Sequence, residues 1–311
     1  MKRAALALIR ITDKTISTVI LIVFLIVFAA LLYFFSENET LIQEADSNQY
    51  QIFKPDGNDE LSLDELRRIN PEVIGWLTID DTPVDYPVVQ SDNNSKYVNT
   101  SVLGEFSLTG ALFLDCRNDP GFSDTLSVIY GHNMTGSVMF GDFYLYEDEA
   151  YYEAHRNGLL FFGAGYHELR IIAFFEADGY DRSVYAVRLQ EPERTEWLER
   201  IRETAIHFSE PVYGDRPLLM LSTCMSGNTN GRTILLAEIG GLTEAPVTEE
   251  PPKSTEVSPV SILDRNVDAP NWTWLLFLLL LIGMSVVYIL WTYRRKKGAR
   301  DGREKRSSDN G

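Results

Sequence analysis

At 311 residues, with 45% apolar and 23% charged residues, the chain has the composition of an ordinary folded protein. The formal net charge of −17 is unevenly spread: the first fifteen residues carry about +3 and the last nineteen about +5, leaving the centre near −25. An acidic centre of that size argues against a nucleic-acid partner. Two cysteines, Cys116 and Cys224, are too few for a disulfide-built domain or a cysteine zinc site, and the four histidines show no ligand spacing.

The basic N-terminus, 1–15, leads into an uncharged run, 16–35 (ISTVILIVFLIVFAALLYFF). A helix of roughly 20 apolar residues crosses a bilayer's hydrocarbon core. The run is longer than the usual apolar core of a cleaved signal peptide, so it reads as a retained anchor. Residues 36–61 are polar and acidic, a tether. Ser62 with Glu65 makes a capping-box pattern that opens a short helix through about Asn70, and Pro71 ends it.

From there the pattern turns to short β-type runs between turn residues: 73–79, 84–89, 110–115, 125–130, 168–177, 183–189, 217–223 and 233–239. Eight such runs predict a mostly-β fold, an antiparallel barrel or sandwich with a few short helices. One helix is expected over 192–208, opening at Pro192 with Trp197, Ile201, Ala205 and Phe208 on one face. A second helical piece is expected around 140–155.

Beyond the domain, 62–241, residues 242–271 are rich in Pro, Thr, Glu and Ser and read as a stalk. A second uncharged run, 273–292, has Trp272, Trp274, Trp291 and Tyr293 where interfacial aromatics belong, and defines a span over 272–292. The tail 293–311 is basic. With both outer flanks basic, the positive-inside rule places both termini in the cytoplasm and the acidic centre outside the cell membrane.

Three side chains stand at the ends of apolar runs. PLLMLSTC, 217–224, ends in Cys224, and Arg232 opens the next run; as a hairpin, the two strands would bring Cys224 and Arg232 to one end. TLSVIY, 125–130, ends before Gly131, read as permitting a turn, and His132. A thiol is the strongest neutral-pH nucleophile among side chains, an imidazole can protonate a leaving amine, and a guanidinium can hold an oxyanion. Each alone has a plainer reading: a buried small hydrophobe, a turn residue, a charge entering a strand.

Together, YGHNM at 130–134, LSTC at 221–224 and Arg232 resemble the His, Cys and Arg motifs of sortases. NPEVIGWLTIDDTPVDYPVVQSDNN at 70–94 and GALFLDCRND at 110–119 are similar to the N-terminal half of class B sortase domains, and a helix at 192–208 between the sixth and seventh barrel strands is a further class B feature. The resemblance covers roughly 62–240. It implies a sortase-type eight-stranded β-barrel, here flanked by the two transmembrane helices read from the apolar runs, and a thick-walled Gram-positive cell. It also implies catalysis by Cys224, His132 and Arg232 on a C-terminal sorting pentapeptide of an exported protein. The thioester would pass to an amine of a cell-wall precursor or to a pilin lysine. Tyr130, Ser222 and Thr223 flank the catalytic trio as supporting or substrate-contacting candidates, and Asn94 is carried over from the equivalent loop. No cofactor is expected, and calcium dependence is open.

Two features depart from the family pattern. Class B enzymes typically have only the N-terminal anchor, whereas a C-terminal span is usual in pilus-building sortases, which also carry an aromatic Asp-Pro lid absent ahead of this barrel. Cys116 reads as a spare thiol, with a redox partnership to Cys224 as the sharper alternative. Rival readings are an L,D-transpeptidase, whose Arg follows its Cys within about two residues where Met225 and Ser226 stand here, and a non-catalytic sortase-like scaffold. The C-terminal run and basic tail mimic a cell-wall sorting signal, but the preceding NVDAPN contains no such pentapeptide.

Overall fold

The computed structural model describes residues 2–55, 61–163, 165–187, 189–190, 192–225 and 230–245. The chain divides into two compact units. In the first, residues 2–37 are helical, the greater part of α1 (Lys2–Ala45), whose backbone contains the uncharged run 16–35. Among the described residues no helix is long and apolar enough to cross a membrane, and side chains are described for only part of that run. The expected span 272–292, the stalk from 246 onward and the basic tail lie outside the described residues.

The second unit, Asn38–Glu250, is built on one nine-stranded sheet. Its strands are β1 (Val73–Ile79), β2 (Asp85–Val89), β3 (Leu112–Leu114), β4 (Leu126–Tyr130), β5 (Asn157–Phe162), β6 (Gly165–Asp178), β7 (His207–Phe208), β8 (Leu218–Cys224) and β9 (Gly231–Thr243). The order is β5-β1-β2-β3-β4-β8-β9-β6-β7, and an additional β5–β6 pairing closes eight of them into a barrel with β7 appended to β6. Closure removes the free sheet edges that would otherwise invite association. The mostly-β eight-stranded barrel expected from the sequence is present.

Its pairing is not wholly antiparallel, however. β2 pairs with β3 and β4 with β8 in parallel. Alternating apolar residues report which face of a strand is buried, not the direction of its neighbour.

Two element assignments also differ. β5 falls in NGLLFF, ahead of a tight return at Gly163, where the backbone is left-handed (φ 59°). Residues 183–189, expected as a strand, form no ladder. Tyr185, Val187 and Leu189 alternate inward all the same, packing against β4, β8, β9 and β6 together with Trp197 and Ile201 of α4 (Glu193–Thr204). Both sides of β6 are already occupied by β9 on one edge and β5 and β7 on the other, so this segment buries its side chains without a backbone partner. α4 stops at Thr204, short of the expected 208, because the chain then extends to pair as β7 with Ala173 and Phe174.

Shorter helices are α2 (Leu61–Ile69), which starts one residue ahead of the expected Ser62 cap, and α3 (Glu149–Ala154), within the expected 140–155. The segment expected to be a free tether is instead packed on the barrel: Ala45, Tyr50 and Phe53 are buried. Asp85 on β2 binds it further, accepting from Lys54 (2.7 Å) and Gln51 (2.9 Å) while also accepting from Trp76 and Thr78.

Candidate active site

The site lies where β4, β8 and β9 end together. On β8 and β9, Cys224 stands directly opposite Arg232 in the antiparallel register. Opposed residues in such a pair have Cα atoms about 4.5–5.5 Å apart and side chains on the same face. The parallel β4–β8 register pairs Tyr130 with Ser222, so His132 and Cys224 both lie two residues past a matched pair. Neighbouring strands are about 4.8 Å apart, which places the imidazole-bearing residue beside the thiol-bearing one. Two bonds extend that ladder: Gly131 N–H donates to the Ser222 carbonyl (3.2 Å), and Asn133 Nδ2 donates to the Cys224 carbonyl (2.7 Å).

Alternation along the strands decides what the site faces. Leu126, Val128, Leu218, Met220, Ile234 and Leu236 lie under α4 in one buried cluster, with Tyr130 packed against it. Ser222, Cys224 and Arg232 continue the same alternation, so they share that face where the helical cover stops. Cys224 is exposed while the rest of β8 is buried. Thr223 falls between, directed to the opposite face, buried, and its Oγ1 has no hydrogen-bond partner among the described residues. It is in the strand that presents the site but not in the site.

His132 is held by its far nitrogen. Nε2 lies 2.9 Å from the Val98 carbonyl, an acceptor, so Nε2 carries a hydrogen in either charge state and Nδ1 is the nitrogen left to take up or give a proton. Gly131 before it does not make a left-handed turn. It is needed for space: a Cβ there would come within 2.5 Å of Leu112 Cδ2 and 2.7 Å of Phe140 Cδ2. Arg232 is steered by its own neighbours. Its Nη1 donates to the Gly231 carbonyl at 3.0 Å, and its guanidinium lies against the bare α-carbon of Gly179, where a Cβ would stand 3.0 Å from Cζ.

Beneath the trio are two linked tyrosines that sequence reasoning only half anticipated. Tyr185 and Ser222 share a hydrogen bond between hydroxyls (2.8 Å), and Tyr185 stacks on Tyr130 (centroids 6.2 Å, interplanar angle 24°). Burial pushes the Tyr185 phenol up, the Ser222 bond and the Arg232 charge pull it down, and a charged Cys224 pushes it up again. The charges of Arg232 and Cys224 therefore both act on this ring. Tyr130 donates to the buried Asp115 (2.9 Å), which is also gripped by Arg117 Nε (2.8 Å) and Nη2 (2.7 Å). Asp115 and Tyr185 carried no sequence signal of their own, whereas Asn133 sits inside YGHNM and could have been singled out.

Asp115 makes the network testable by pH. Burial by itself would raise its carboxyl, but the hydrogen bonds from Arg117 and Tyr130 outweigh that and hold it below its usual value. A depressed carboxyl adds stability above its unfolded pKa, near ~3.9, and the stability is lost as pH falls through the lower folded value. Asp115→Asn is expected to lower stability at neutral pH by about 1–3 kcal/mol. It should also flatten the loss of stability on acidification, as thermal melts between about pH 7 and pH 3 would show. An Asp115→Asn curve parallel to wild type throughout would exclude the carboxylate as the source.

Asn94 is occupied with its own loop: Oδ1 accepts from Cys116 N–H (2.7 Å), fastening the residues after β2 to the end of β3. Both cysteines are free thiols. β3 runs antiparallel to β4, with Leu114 opposite Ile129, so Cys116 lies near Ser127, whose β8 partner Leu219 is five residues short of Cys224. At about 3.3 Å per residue that is roughly 16 Å, far beyond the ~7 Å a disulfide spans. The redox partnership with Cys224 is thereby excluded, and Cys116 is a separate thiol.

A thiol, an imidazole with one free nitrogen and a fixed guanidinium, side by side at an exposed strand end, have the groups needed for acyl transfer through a thioester. No protein-family model matches the chain. The chain is 30% identical over 200 residues to sortase B of Listeria monocytogenes, covering 62% of this chain and 80% of that one. It is similar to the solved structure of a class B sortase of Streptococcus pyogenes, with 32% identity and a TM-score of 0.53 over 58% of this chain and 98% of that one. Sortase B of Staphylococcus aureus shares the fold, with a TM-score of 0.56 at 22% identity over 67% of this chain and 99% of that one. The barrel and its thiol site thus define a cysteine transpeptidase. The chain belongs to the class B sortase family.

Proposed function

We propose that this sortase is a membrane-anchored enzyme that cleaves a C-terminal sorting pentapeptide of an exported protein at its Thr carbonyl. The reading rests above all on the Cys224–Arg232 register pair with His132 one strand away. The Cys224 thiol passes its proton to Nδ1 of His132, the thiolate sulfur attacks the carbonyl carbon, and the oxyanion that forms is held by Arg232. As the C–N bond breaks, His132 gives its Nδ1 proton to the leaving amine, and the acyl group remains as a thioester on Cys224. An acceptor amine then attacks the thioester, His132 takes the amine's proton, and the thiolate departs. The acceptor is an amine of a cell-wall precursor or a pilin lysine. Supporting a pilin acceptor, the S. pyogenes class B sortase is described as involved in pilus biogenesis.

The anchoring part of the proposal places both termini in the cytoplasm, with spans at 16–35 and 272–292 and the barrel outside. Two uncharged runs, each flanked by basic residues on its outer side, support it.

The test uses the full chain in detergent, a quenched library of sorting pentapeptides, and triglycine as acceptor. Cleavage with transfer to triglycine is expected for one peptide class, with the acyl-enzyme visible by mass spectrometry. A folded chain that forms no adduct with any peptide would favour the scaffold reading. On intact cells, a membrane-impermeant maleimide should label Cys224; labelling only after lysis would refute the topology.

A further inference from the structure

The imidazole of His132 sits at the root of a tight hairpin, and that hairpin is fastened from below. Phe140 N–H donates to the His132 carbonyl (3.1 Å), and Asn133 bridges to Met139. Between them Gly136, Ser137 and Met139 all hold left-handed backbone angles (φ 87°, 58° and 53°). Two of the three are not glycine, and such conformations persist only where the surroundings over-determine them.

The surroundings that do so come from the segment ahead of the barrel. Tyr86 on β2 is 2% exposed, and its hydroxyl donates to the Ala45 carbonyl at the end of α1 (2.9 Å) while accepting from Met139 N–H (3.0 Å). Strand β2, the end of α1 and the hairpin are joined at one oxygen. Ile42, on the preceding turn of α1, lies over Gly136, where an added Cβ would come within 3.1 Å of Ile42 Cγ2. Burial pushes the Tyr86 phenol up to about 12, so the hydroxyl keeps its proton, and both bonds, at any working pH.

We propose that Tyr86, together with Ile42 over Gly136, is a positioning residue that holds the His132 hairpin to the N-terminal helical segment and so sets the imidazole against Cys224. The inference rests on the proposed role of His132 as the proton donor. Without the hydroxyl, the Met139 N–H and the Ala45 carbonyl lose their shared partner and the hairpin is free to shift, while the Cys224–Arg232 pair on β8 and β9 stays as it is. A displacement on the order of 1 Å at a catalytic group can cost about a hundredfold in rate.

The test compares full-length wild type, Tyr86→Phe and Ile42→Ala, each labelled with 15N-histidine. In both variants kcat should fall tenfold or more while KM for the peptide stays within about twofold. The ring signals of His132, identified by their loss in His132→Ala, should shift or broaden, and those of His155, His167 and His207 should not. If Tyr86→Phe does not fold, Ile42→Ala carries the same readouts. Unchanged kcat in the folded variants, or a fall in kcat with unmoved His132 signals, overturns the proposal. Absence of turnover in wild type would refute the proposed function instead; the His132 signals then decide the positioning role by themselves.

Discussion

Replacing Cys224 with alanine is expected to reduce transpeptidation by at least about 10⁴-fold and to abolish the acyl-enzyme altogether. The expectation is this large because, among the described residues, nothing else in the site can take over. Ser222 and Thr223 are the nearest hydroxyls in sequence among the described residues, but Ser222 is buried with its Oγ engaged by Tyr185, and Thr223 faces away. Cys116, the other thiol, lies at the far end of the strands. Cys224→Ser keeps a hydroxyl in place of the thiol, yet should fare little better, since a serine needs a base to be deprotonated as it attacks. Steady-state cleavage of the preferred pentapeptide, together with mass spectrometry of the protein during turnover, measures both effects. Residual cleavage above about one per cent of wild type would mean that another group carries the acyl transfer.

Arg232→Lys should be nearly as damaging as Arg232→Ala, lowering kcat by about 10²–10³-fold, or some 3–4 kcal/mol of transition-state stabilisation. Lysine keeps the charge but loses the planar fork. In this protein the fork is aimed by two particular contacts, the Gly231 carbonyl at Nη1 and the bare α-carbon of Gly179 against the guanidinium. A flexible ammonium gains nothing from either. Because the oxyanion exists only in the transition state and the tetrahedral intermediate, KM should change far less than kcat. Pre-steady-state acylation of the wild type and both variants separates the terms. A lysine variant within about threefold of wild type would show that charge alone suffices and that the orientation of the guanidinium is irrelevant.

Much of the barrel was legible in the chain because the physics that forms a strand is local. The runs at 73–79, 84–89, 125–130, 217–223 and 233–239 alternate or saturate with apolar residues between turn formers, and each became a strand within a few residues of its expected limits. The same logic misread 183–189. Its alternation is real and its side chains are buried, but a strand also needs a free neighbour for its backbone, and that depends on residues far away in sequence. β5 was missed for the converse reason: NGLLFF lacks clear alternation, and it is a strand because β1 and β6 each offer it an edge.

The same division runs through the site. Residue type and position at the ends of apolar runs, together with the resemblance of the three motifs, made Cys224, His132 and Arg232 candidates, and the hairpin needed to oppose Cys224 and Arg232 was implied by the short loop between them. That His132 stands level with them depends on β4 lying parallel to β8, a relation between segments almost ninety residues apart that no periodicity encodes. Only the folded chain decides that Val98 occupies Nε2 of His132 and leaves Nδ1 open, that Tyr185 links Ser222 to Tyr130, and that Asp115 anchors the pair. It also decides that the supposed tether is packed against the barrel, with Tyr86 joining its helix end to the His132 hairpin. Local sequence determines what a segment can become and which chemistry it carries. Orientation to within a hydrogen bond is decided by packing between distant segments, because burial acts on surfaces that exist only once the chain has closed on itself.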